Sequence, residues 1–329
     1  MKDNKNTQVQ NFVDSISLGN PNSHGNLTVF PIHVENKSIP FITLRDALNK
    51  DLIQIMEKSE GGSVPELRVI SSSEIPILLL DGEEIAGAKQ NRILNTSILV
   101  PEKGDIIIPV SCTEEGRWSY NSPKFYDSDE ILSHTIRASK MDSVSANLNR
   151  GNSYASDQGA VWSGIQHIAM GENVSSHSGA MKDIYEAKRP QLDNLNKNFP
   201  LQKNQKGLLV YINGQPVGFD LVATREAYAQ YHEKLLRSYA ISLLRNVDYR
   251  EGNDEQINGM SFINLAASCM ETQFKSIGLG WDYRYERSGI IGSLLMVVNS
   301  MIHTAFFNTG NQHSYYRESG RIVRRRWYR

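Results

Sequence analysis

Between Gly25 and Cys112 short β-branched runs alternate with Gly, Pro, Asn and Ser, at residues 26–34, 53–57, 66–70, 75–80, 92–100 and 105–112. None of these runs reaches ordinary helix length, and β-branched side chains fit a pleated surface best, so the pattern specifies a β-rich unit. One short helix interrupts it after Thr43, where Thr43-x-x-Asp46 resembles a capping box with an aspartate in place of the usual glutamate.

A chain of 329 residues can bury roughly three quarters of the surface its unfolded form exposes, so it needs no staples. Its two cysteines, Cys112 and Cys269, form no CxxC pair, which suits a reducing cytoplasm. The polar N-terminus, MKDNKNTQVQNFVDS, lacks the apolar core of a secretory signal. The longest apolar segment, 290–298, is strand-sized, so no membrane partner is expected. The formal charge of −1 hides an asymmetry. Residues 317–329 hold six arginines and one glutamate, a tail of +5 that leaves −6 on the remainder. Arg324, Arg325 and Arg326, interleaved with aromatics, are suited to nucleic-acid phosphates, but the acidic body opposes close approach of a duplex.

From 128 to 199 Ala, Ser, Asn, Lys and Met dominate. This texture predicts two or three helices, the first capped by Ser128 beside Asp129 and Glu130, with a mobile connection at 147–156. Next, residues 207–212, Asn213-Gly214 and 217–222 read as a hairpin with a type I′ turn. Tyr228, Tyr231, Leu235, Tyr239, Leu243 and Val247 then mark one face of a long helix over 224–247. A second hairpin is expected from 291–298 and 301–307 around Asn299-Ser300. LLVYINGQPVGFD and LLMVVNSMIHTAF match in length and apolar pattern, as a duplicated strand–turn–strand unit would.

The expected fold is therefore α+β: a β-rich core of antiparallel sheets with several covering helices. Residues 1–24 read as a flexible arm and 308–329 as a basic tail. A single domain spans 25–307, with a β-rich part at 25–118, a helical insert at 128–199 and a hairpin–helix–hairpin at 207–307.

The densest polar cluster, DGEEIAGAKQNR, follows the apolar run 77–80. Gly82-x-x-x-x-Gly87 hints at a phosphate loop, but Lys89 is displaced by one residue, Gln90 and Asn91 replace the magnesium-binding hydroxyl, and Glu83 and Glu84 oppose phosphate. Those two glutamates suit proton transfer or ribose hydroxyls, and Lys89, Gln90, Asn91 and Arg92 suit phosphate or carbonyl groups. A polar turn with solvated charges accounts for the same residues. Glu115, Arg117 and Trp118 combine an ion pair with a stacking surface, or form a structural corner. Cys112 has no neighbouring histidine and reads as a core residue. His303, on the closing strand, is placed where a neighbouring loop can join it. No metal-ligand spacing, Gly-x-Ser-x-Gly or Gly-x-Gly-x-x-Gly occurs, so no metal is expected and no cofactor is specified. Residues 271–287 mix aromatics with charges, as a pocket lining or an oligomer interface would.

NLTVFPI, SEGGSVPELRV, LLLDGEEIAGAKQNRILNTSILV, IPVSCTEEGRW and KLLRSYA together resemble the domain family named for its association with ADP-ribosylglycohydrolases and rhodanese-phosphatase proteins. The likeness spans about 25–307 and is weakest over 128–199. Asn299-Ser300 stands where the family tends to have Asp-Gly. The resemblance carries Glu83, Glu84, Lys89, Gln90, Asn91, Arg92, Asn95, Glu115, Arg117 and Trp118 as site members. It implies a prokaryotic or phage setting in which an ADP-ribose-like or NAD-derived nucleotide is bound or hydrolysed; Glu83 and Glu84, with His303 added from its place on the closing strand, are the candidate catalytic groups. The alternative is a non-catalytic nucleotide receptor or a homo-oligomeric scaffold.

Overall fold

Asn213 and Gly214 adopt φ of 52° and 73°, the paired positive values of a type I′ turn, and the hairpin they close lies in the largest sheet of the protein. The structure, a computed structural model, describes residues 7–58, 65–117, 122, 124–244 and 258–310. The chain begins with α1 (Gln10–Val13), β1 (Ile16–Leu18), β2 (Asn22–His24) and β3 (Leu27–Val34). It continues through β4 (Ile42–Thr43), α2 (Leu44–Asn49), β5 (Ile53–Glu57), β6 (Glu66–Ser71), β7 (Ile77–Leu79), β8 (Glu83–Gly87), β9 (Arg92–Leu94), β10 (Ile98–Val100), β11 (Asp105–Cys112) and β12 (Phe125–Ile131). Three helices follow, α3 (His134–Asn149), α4 (Gln158–Gly171) and α5 (Met181–Asn196), and then β13 (Gly207–Ile212) and β14 (Gln215–Val222). After α6 (Arg225–Ala240) and α7 (Gly259–Ala267) the described chain ends in β15 (Met270–Lys275), β16 (Trp281–Arg287), β17 (Ile290–Val297) and β18 (Ser300–Asn308).

The fold is α+β with a β-rich core. The nine-stranded sheet runs β1-β3-β13-β14-β18-β17-β16-β15, with β2 also on β3. The two hairpins lie side by side in it, joined by antiparallel pairing of β14 and β18 from Gly218↔Phe307 to Val222↔His303. Alternation along β13 divides its residues between two cores. Leu208, Val210 and Ile212 face the helices and the barrel, whereas Leu209 and Tyr211 face α1 and α7. The six-stranded sheet, β12-β8-β9-β11-β6-β5, curls until its end strands β12 and β5 approach each other. With the small β10-β7-β4 sheet it encloses a separate apolar core that includes Leu67, Val69, Ile85, Leu94 and Ile108. We call this unit the barrel. Helices α3 and α6 lie between it and the large sheet.

Several expectations change. Residues 7–24 are not a flexible arm, because β1 and β2 both pair with β3. Ser128 caps no helix; it lies in β12, and α3 starts at His134 after Ser133. The run 92–100 divides into β9 and β10, which join different sheets. The 147–156 connection is tied down rather than mobile: Asn147 Nδ2 donates to Ala155 O at 2.7 Å and Tyr154 OH to Lys275 O at 2.9 Å. Thr224 caps α6 as expected, its Oγ1 accepting from Ala227 N at 3.2 Å, but the helix ends at Ala240. Residues 241–244 turn away while Leu243 stays in the core, and Val247 lies outside the described residues. The second hairpin turns one residue earlier than expected, at Val298-Asn299, with φ of 48° and 61°. Among the described residues no helix is long and apolar enough to cross a membrane.

Candidate functional site

All five residues of β8 are buried, because the strand is interior to the barrel sheet, between β12 and β9. Glu83 and Glu84 therefore point to opposite faces and each needs an internal partner. Glu83 Oε1 takes Lys234 Nζ from α6 at 3.0 Å, and Lys234 also reaches both oxygens of Asp127 at 2.7 and 2.8 Å. Burial raises the Glu83 pKa, while Lys234 helps hold Asp127 below the usual carboxylate range. Glu84 Oε1 accepts from Thr113 Oγ1 at 2.6 Å, yet burial pushes its carboxyl up to about 7.

Facing β8, β12 carries a bulge. The register passes from Asp127↔Ile85 to Ile131↔Glu83, four steps along β12 against two along β8, with Asp129 at φ 68°. The extra residues re-aim three acids. Asp127 Oδ2 meets Arg45 Nε at 2.9 Å, and Arg45 also pairs with Asp129. Asp129 Oδ2 meets Arg237 Nη2 at 3.0 Å. Glu130 is clamped by Arg237 Nε at 3.0 Å and Arg189 Nη2 at 2.5 Å, and burial still lifts it to about 7.

Where β5 and β12 approach without pairing, a cleft of about 510 Å³ opens beside this bulge. Leu48, Ile53, Ile55 and Phe125 supply its apolar lining, and Arg45, Lys124, Tyr126, Asp127 and Asp129 supply its polar rim. The volume is that of a small-molecule site. Glu83 and Glu84 do not line it; Glu83 is linked to Asp127 of the rim through Lys234, whereas Glu84, on the opposite face, is held by Thr113.

A second buried group includes His303. Its Nδ1 lies 2.8 Å from Ser97 Oγ, in the β9–β10 connection, and its Nε2 lies 3.3 Å from Asp220 Oδ1. Serine, histidine and aspartate in a chain suggest a hydrolase triad, but this one is sealed. Ser97 Oγ also accepts from Asp81 N at 2.9 Å, and the Asp220 carboxylate, which can only accept, takes the Nε2–H of His303. His303 and Asp220 are 1% and 0% exposed, leaving no approach for a carbonyl carbon. Arg137 holds Asp220 by two bonds, of 2.6 and 3.0 Å, and reaches Asp81, which also pairs with Lys140. Arg137 and its neighbours keep the Asp220 pKa depressed despite burial. The charges are sorted by origin: Asp81, Glu83, Asp127, Asp129 and Glu130 belong to the barrel, whereas Arg137, Lys140, Arg189, Lys234 and Arg237 come from helices.

The other expected site residues form a third group at the β8–β9 corner. Gln90 Nε2 donates to Glu114 O at 2.8 Å, Arg92 Nη1 to Gln90 Oε1 at 3.2 Å, and Gly87 N to Asn91 Oδ1 at 3.1 Å. Arg117 pairs with Glu114 at 2.7 Å, not with Glu115, which accepts from Gln166 Nε2 at 2.9 Å. Arg92 is fully buried with the Glu57 carboxylate 3.7 Å away, and Lys89 lies half-buried at the turn. Asn95 bridges Tyr154 O and Ser111 Oγ. Cys112 is buried and its thiol is pushed up to about 11, as befits a core residue. Trp118 and the arginine tail lie outside the described residues. The residues that sequence reasoning missed are Arg45, Asp127, Asp129, Glu130, Lys234 and Arg237. One signal for them was available: Lys234 and Arg237 fall three apart on the otherwise apolar face of α6.

The model of the ARG and Rhodanese-Phosphatase-superfamily-associated Protein domain matches residues 15–307. The chain belongs to this family. Comparison with curated proteins and with solved structures gives no significant match. The family match begins ten residues before the expected start and takes in β1 and β2, which the fold joins to β3.

Proposed function

We propose that the protein is a small-molecule receptor that holds an ADP-ribose-like or NAD-derived nucleotide in the cleft between β5 and β12. The observation that carries this reading is the cleft itself, a mostly polar lining of both charge signs over a few apolar side chains. Tyr126, 41% exposed, offers a ring for a base. Asp129 is suited to accept from ribose hydroxyls, and Lys124 and Arg45 are suited to phosphate oxygens. Binding is favoured over hydrolysis because Glu83, Glu84 and His303, the groups fit for proton transfer, are enclosed and do not line the cleft.

The test incubates the protein with ADP-ribose, NAD and cyclic nucleotides while melting and product formation are followed together. A ligand at ten times its dissociation constant adds about 1.4 kcal/mol to stability. Stabilisation without turnover, lost in Tyr126→Ala and Lys124→Ala but kept in Glu84→Gln, is the expected result. Turnover abolished by Glu84→Gln would replace the receptor with an enzyme. If none of the ligands stabilises the fold, the nucleotide reading fails.

A further inference from the structure

Of the edges of the two larger sheets, one stands open among the described residues. The two ends of the barrel sheet, β5 and β12, approach each other. At one end of the large sheet the outer strands are β1 and β2, each three residues long and separated by Gly19 and Pro21, as edges that avoid other chains commonly are. At the other end β15 is six residues long, pairs with β16 without a bulge from Met270↔Glu286 to Lys275↔Trp281, and contains no proline. Among the described residues nothing pairs with its outer side. Beside it Met270 is 77% and Trp281 45% exposed.

We propose that β15 is a dimerisation edge, on which the β15 of a second copy of this chain pairs antiparallel with Gln273 at the two-fold axis. Symmetry restricts the register. Opposed pairs along an antiparallel ladder alternate between hydrogen-bonded and non-hydrogen-bonded types, and a two-fold axis maps each pair onto one of its own type. The axis must therefore pass through a residue that faces itself. Centring on Glu271 or Lys275 sets like charges against each other, and centring on Met270, Thr272 or Phe274 pairs no charges. Centring on Gln273 places Glu271 of each copy opposite Lys275 of the other and sets Thr272 against Phe274. Glu271, Gln273 and Lys275 share one face with Tyr285, Tyr283 and Trp281. Gln273 Nε2 donates to Tyr283 OH at 3.1 Å, and Lys275 Nζ lies 5.2 Å from the Trp281 ring centre. The paired edge thus continues a row of aromatic and charged side chains across the axis.

The full chain tests this directly. Light scattering on the eluting protein should give twice the 37.1 kDa chain mass. Gln273→Lys and Gln273→Glu should each halve that mass, and an equimolar mixture of the two should restore it. Residues facing each other across such a ladder have Cα atoms about 4.5–5.5 Å apart, within disulfide reach. Gln273→Cys should therefore form a covalent dimer on mild oxidation, whereas the wild type, whose Cys112 and Cys269 are buried, should not. A monomeric wild type would overturn the proposal. So would a dimer whose mass survives both charge substitutions and whose Gln273→Cys form does not cross-link.

Discussion

Replacing Glu84 by glutamine should stabilise the protein, and only above mildly acidic pH. The Glu84 carboxyl is fully buried and titrates at about 7, against an ordinary value of 4.5. A group whose folded pKa is raised supports folding fully below its unfolded pKa, and that support is lost as pH rises through the folded value. The window for Glu84 is thus pH 4.5–7. At pH 8 the 2.5-unit difference, at 1.36 kcal/mol per unit, corresponds to a burden of about 3 kcal/mol, and at pH 5 to less than about 1 kcal/mol. Glutamine keeps an acceptor for Thr113 Oγ1 and carries no charge to bury. Urea unfolding at pH 5, 6, 7 and 8 measures the effect, an unchanged m-value showing that stability and not the surface exposed on unfolding has changed. The midpoint gap between Glu84→Gln and wild type should open as pH rises. A variant destabilised equally at all four pH values would refute the reasoning, because the carboxyl would then be a hydrogen-bonding partner and not a burdened charge.

Other substitutions probe different parts of the fold. Val298 is a β-branched residue at φ 48° in the β17–β18 turn, so Val298→Asn should raise stability by about 1 kcal/mol in thermal or urea unfolding. A Cβ on Gly292 would stand 2.2 Å from the Phe306 ring, so Gly292→Ala should lower stability by about 1–3 kcal/mol, measured in the same way. Asp220→Asn leaves the buried Arg137 short of an anion and should cost about 3–5 kcal/mol in urea unfolding. A loss below about 1 kcal/mol would mean that Asp81 alone satisfies the guanidinium.

The strands were legible where a local rule sufficed. Asp105–Cys112 and Ile53–Glu57 match their expected limits, and Asn213-Gly214 marked its turn, because β-branched runs and αL-tolerant residues act through the backbone alone. β12 was not legible. Its YDSDE stretch has the composition of a helix start, and it is a strand because the charges of Asp127, Asp129 and Glu130 are met by Arg45, Arg189, Lys234 and Arg237, which come from helices distant in sequence. Glu83 and Glu84 stood out in the sequence, but their chemistry depends on burial in an interior strand of a sheet, which adjacent residues do not encode. Val298 failed the local rule altogether, since a valine gives no sign that it will occupy a left-handed turn position.

The sorting of buried charges by origin has a consequence for autonomy. A barrel cut away from the helices would leave Asp81, Glu83 and Glu130 without counterions and Asp127 and Asp129 with Arg45 alone, and the helices would present Lys140, Arg189, Lys234 and Arg237 without their barrel partners. Such uncompensated groups disfavour either piece on its own, although each has an apolar core. The same complementarity would let two co-expressed fragments, divided in the connection between β12 and α3, find one another as acid and base. Within the 15–307 span of the family domain, the barrel and the helices thus meet in an ionic layer that exists only when both are present.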